Sequence, residues 1–81
     1  MKNLLKLHEA IAIALLNEHS RSSTFEDIAE FIENRNLYPI RKGNILLSKQ
    51  VMLRATKSNG QYHHLFEKID DNKIRLKDLL P

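Results

Sequence analysis

Eighty-one residues, 42% of them hydrophobic and 28% charged, describe one small soluble-type domain with a single modest core. The absence of cysteine excludes disulfides, thiolate metal sites and cysteine nucleophiles. No apolar run is long enough to span a membrane, and the opening MKNLLKLHEA is too polar after Leu7 for a signal peptide, so an intracellular location is expected.

The net charge of +3 is mild, but its distribution is not. Residues 1–33 carry three basic and six acidic side chains; residues 34–66 carry six basic ones and no acid; residues 67–81 carry four of each. A basic block of this kind is the usual footprint of a surface that meets a polyanion, because a merely solvated face tends to intersperse both signs.

The first element is a helix over residues 4–19. Leu4, Leu7, Ile11, Ala14 and Leu15 recur at helical spacing, with Leu5, Ala12 and Leu16 as a second stripe. Burial on more than one side is expected, with a partner or homodimer surface as the alternative use of the second stripe. Arg21-Ser22-Ser23 then breaks the pattern, and Ser23 with Glu26 fits a capping box. The second helix runs to about residue 34, with Phe25, Ile28, Ala29 and Ile32 inward and Glu26, Asp27, Glu30 and Glu33 on one acidic outer face. Pro39 forbids its continuation.

Arg41-Lys42-Gly43-Asn44 reads as a turn, and Ser48 as the N-cap of a third helix over 48–58 that closes at Gly60. On a helical wheel Ser48, Val51, Met52 and Ala55 share one arc, while Lys49, Gln50, Leu53, Arg54 and Lys57 share the other. Residues 64–69 and 73–76, joined by Asp70-Asp71-Asn72, read as a β-hairpin, with Ile74 and Leu76 alternating against Lys73, Arg75 and Lys77. The segment 21–23 is placed to add a third strand. Residues 78–81 read as a tail or the start of a linker.

Helix, helix, basic helix and hairpin, in that order, make an α+β winged helix-turn-helix domain over residues 4–77. The succession LHEAIAIALLNEH, STFEDIAEFIENRNLY, SKQV and HLFEKIDDNKIRL resembles the HARE-HTH domain over nearly the whole chain. That winged-helix module is shared by chromatin regulators, restriction-endonuclease-associated proteins and the delta subunit of bacterial RNA polymerase. The matching residues are core positions and include no catalytic signature. The resemblance implies a DNA-binding or DNA-associated module with 48–58 as the recognition helix.

On that footing Gln50 would pair with adenine and Arg54 with guanine, while Lys49 and Lys57 would meet phosphates. Arg41 and Lys42 on their turn, and Lys73 and Arg75 on the return strand, would reach the backbone. The acidic tip Asp70-Asp71 argues against a wing contact, and Leu53 either touches a thymine methyl or marks a protein interface. The alternative function is a protein-interaction adaptor without significant DNA affinity. No enzyme, cofactor or metal is expected. His63 and His64 point to opposite faces of a strand start, and the hydroxyls of Ser22, Ser23 and Thr24 are accounted for by capping.

Overall fold

The computed structural model of the chain describes residues 4–39, 45–57, 62 and 64–77. Its elements follow the order α1 (Leu7–Leu16), β1 (Ser22–Thr24), α2 (Phe25–Asn34), α3 (Leu47–Thr56), β2 (Phe66–Asp70) and β3 (Lys73–Leu76). The three strands form one antiparallel sheet in the order β1-β3-β2. Three helices backed by this small sheet make an α+β fold in the winged helix-turn-helix arrangement. No helix among the described residues is long and apolar enough to cross a membrane.

Each helix is delimited by chemistry at its ends. The α1 helix begins at Leu7 because the Glu9 carboxylate accepts from the Lys6 backbone N–H at 2.7 Å, which is half of a capping box. It stops at Leu16 because Arg21, held at φ 60°, turns its guanidinium back to donate to the carbonyls of Leu16 and Glu18. A cation there satisfies orphan carbonyls and opposes the negative end of the helix dipole. The helix is therefore shorter than the expected 4–19. It also buries one broad face rather than two. Leu7, Ala10, Ile11, Ala14 and Leu15 are inside and Ala12 packs half-buried beside them, whereas Leu4 of the first stripe is fully exposed and Leu16 of the second is 52% exposed.

The cap of α2 lies one residue later than Ser23. Ser23 sits in β1, buried opposite Ile74, so Thr24 takes the capping position and its Oγ1 accepts from the Asp27 N–H at 3.1 Å. The other end is a Schellman motif. Asn36 adopts φ 53°, its N–H donates to the Glu33 carbonyl, and the Leu37 N–H donates to that of Ile32 at 3.0 Å. Leu37 and Tyr38 then pack half-buried against the core, as their place after the helix suggests.

The α3 helix starts at Leu47, with Leu46 as an N-cap that makes no side-chain cap bond. Ser48 is thus inside the first turn and is not the cap. Gln50 ties the entering chain to the helix instead: its Nε2 donates to the Ile45 carbonyl at 2.9 Å. The expected turn at Arg41-Lys42-Gly43-Asn44 and the terminator at Gly60 lie outside the described residues.

The sheet joins distant parts of the chain. Ser22, Ser23 and Thr24 pair with Arg75, Ile74 and Lys73, which confirms the third strand. Between β2 and β3 the register shifts after Lys68, leaving Ile69 as a bulge residue that is 46% exposed. The tip is closed by an Asp71 N–H to Asp70 Oδ1 bond and is moored by the Phe25 N–H, which donates to the Asn72 carbonyl at 3.0 Å. The core gathers Ile11 and Leu15 from α1, Ile28 and Ile32 from α2, Val51 from α3 and Ile74 from β3.

Candidate functional site

The two faces of α3 follow from its sequence. Leu47, Val51 and Ala55 are buried, and Lys49, Leu53 and Lys57 are exposed at a spacing of four residues. These last three form one solvent-facing row along α3 and its C-cap residue, Lys57. A helix rises about 1.5 Å per residue, so the two lysine positions lie roughly 12 Å apart along the axis. Leu53, between them, is 37% exposed.

Arg54 is not in that row. It is half-buried and lines a cavity of about 310 Å³ between α1, α3 and the segments that follow α2 and precede β2. The other described walls are Lys6, His8, Tyr38 and Tyr62, with Leu5 and Leu7 beneath them. Gln50, also half-buried, has committed its amide nitrogen to Ile45. Of the two proposed base-reading side chains, Gln50 is therefore partly engaged within the domain, and Arg54 stands on the cavity wall.

The cations of β3 are also placed differently from one another. Arg75 lies opposite Glu67 in register, and its Nε and Nη2 donate to Glu67 Oε1 at 3.1 and 2.6 Å. That pair cancels locally. Lys73, half-buried, faces Thr24 across one strand pair and Asp70 across the other. The mooring of Asn72 to Phe25 brings the Asp70-Asp71 tip beside the first turn of α2, where Glu26 and Asp27 are exposed. This end of the molecule is acidic. Arg41 and Lys42 lie outside the described residues.

His8 lies in the first turn of α1. In the fold its ring stacks on Tyr62, with centroids 4.4 Å apart and planes inclined by 21°. Its buried Nδ1 has no hydrogen-bond partner. Burial lowers the His8 pKa below the ordinary histidine value; Glu9 pulls it up, and Lys6, Arg54 and His64 push it down. Near neutral pH the ring is thus an uncharged aromatic plate. No periodicity links residues 6, 8, 38, 54 and 62, so only the tertiary fold reveals this cavity. Among the described residues, no group of three or more histidine, aspartate or glutamate side chains is placed to hold a metal ion.

In comparison with known proteins, no family model, no curated protein and no solved structure matches the chain.

Proposed function

We propose that this chain is a DNA-binding winged-helix module that meets the duplex through the outer row of α3. The observation that carries this reading is the exposed row Lys49, Leu53 and Lys57 on the third helix of a winged helix-turn-helix, within a sequence block free of acids. The likeness to the HARE-HTH domain points the same way.

The major groove, about 12 Å wide, admits an α-helix. Lys49 and Lys57 then meet phosphates near the two ends of α3, and Leu53 faces the groove floor, where a thymine methyl is its natural partner. Phosphate contacts fix position without specifying sequence. Gln50 reads a base only if its bond to Ile45 is released, and Arg54 faces the cavity. Modest sequence preference and strong salt dependence follow, with a slope of about −0.9 in log K against log salt for each phosphate neutralised. A Lys49→Glu, Lys57→Glu double variant, titrated against a fluorescent duplex at low salt, is expected to bind at least tenfold more weakly by anisotropy. Equal affinity of variant and parent would sink the reading.

A second reading, the protein-interaction adaptor, is favoured by Leu46, which is 74% exposed beside Ile45, and by Ile13 and Leu16 on the outer side of α1. Sedimentation and DNA retardation on one sample separate the two. A dimer that ignores DNA supports the adaptor, and a monomer that shifts DNA supports the DNA-binding module.

A further inference from the structure

The α1–α3 cavity combines a charge with a wall that does not answer it. Arg54 is half-buried there, and among the described residues its guanidinium makes no hydrogen bond or ion pair. A cation that loses water without gaining an acceptor is unfavourable, so such a site favours an anion that supplies the missing acceptors. Lys6 brings a second positive charge to the same cavity. Glu9, the acid that acts on His8, is turned to the start of α1, where it accepts from the Lys6 backbone. Its carboxylate therefore serves the helix end.

The rest of the wall is flat and apolar. The stacked His8 and Tyr62 rings, Tyr38, Leu5 and Leu7 line the space. At about 310 Å³ it sits at the small end of ligand sites, which run from roughly 300 to 1,000 Å³. One substituted ring fits within that volume. We propose that this cavity binds a small aromatic carboxylate, with the Arg54 guanidinium as its two-pronged partner, Lys6 as the supporting charge and the aromatic wall against the ring. A planar guanidinium matches a carboxylate with two parallel N–H···O bonds, a geometry that lysine cannot reproduce. The inference stands apart from DNA binding, since it uses neither Lys49 nor Lys57.

The test is a ¹⁵N–¹H NMR titration of the full chain at constant ionic strength, with sodium benzoate, benzamide and sodium phosphate as probes. Benzoate is expected to give saturating shifts at Lys6, His8, Arg54 and Tyr62, and to bind at least tenfold more tightly than benzamide or phosphate. Arg54→Gln is expected to weaken benzoate at least tenfold with the spectrum otherwise dispersed, and Arg54→Lys to fall between. Should Arg54→Gln unfold the domain, Lys6→Gln is expected to weaken benzoate about threefold. The proposal is overturned if benzamide or phosphate matches benzoate, if benzoate shifts fail to saturate or scatter over the exposed lysines, or if the folded variants bind as the parent does.

Discussion

Two isoleucines five positions apart in the hairpin give the sharpest test of the fold. Ile74 is fully buried at the centre of the sheet, opposite Ser23 on one side and Lys68 on the other. Ile69 is the bulge residue and stands 46% exposed. Replacing Ile74 with alanine removes three buried carbons, which at about 0.8 kcal/mol each is a transfer loss of ~2.4 kcal/mol. A residual void of roughly 40 Å³, at about 24 cal/mol per Å³, adds ~1 kcal/mol. The expected destabilisation is therefore about 3 to 3.5 kcal/mol. A domain of this length has a total stability of roughly 4 to 12 kcal/mol, so Ile74→Ala approaches the limit of folding. Ile69→Ala is expected to cost less than about 1 kcal/mol, since much of that side chain stays in water. Urea denaturation followed by far-ultraviolet circular dichroism measures both. If Ile74→Ala lost less than about 1 kcal/mol, or Ile69→Ala lost as much as Ile74→Ala, the assigned register and bulge would be wrong.

Two further outcomes follow from side chains at helix ends. Thr24→Ala removes the acceptor for the Asp27 N–H and is expected to cost about 1 kcal/mol by the same denaturation, whereas Ser23→Ala leaves the cap in place. The His8 ring should titrate by NMR below the ordinary histidine value, with burial as the main cause, Glu9 opposing it, and Lys6, Arg54 and His64 adding to it. For a base whose folded pKa is depressed, the unfolded chain takes up protons first. Stability is then full above the ordinary value and is lost as pH falls through the lowered one. His8→Phe should flatten that slope, and an unchanged slope would assign the acid sensitivity elsewhere.

The elements were legible in the sequence wherever periodicity and burial agree. The inward positions of α2, Val51 and Ala55 of α3, and a third strand expected at 21–23 and found at 22–24 follow from spacing and from the order of segments. Boundaries were less legible, because a hydroxyl residue can serve a strand or a cap equally well. Ser23 reads as the cap of α2, yet Thr24 takes that role, since tertiary pairing with Ile74 claims Ser23. The site divides in the same way. Lys49 and Lys57 lie in the exposed row that the wheel predicts. Arg54 shares their arc yet turns toward α1, because a helical wheel contains no neighbouring helix. Arg75 reads as a free cation along its strand, but its cross-strand partner Glu67 becomes visible only once the register is known.

The sheet has a consequence for how the domain forms. Its central strand, β3, pairs with β1 across roughly fifty residues of chain, a separation that raises contact order and slows closure. Ile74 enters the core only when that closure occurs, while the Asn72 carbonyl simultaneously receives the first amide of α2. The helices therefore have no finished base to rest on until the late strand arrives. During synthesis, a chain that has emerged only as far as α3 carries the candidate binding row but lacks the strand that completes the core. Binding competence and complete folding should consequently appear together, in one step.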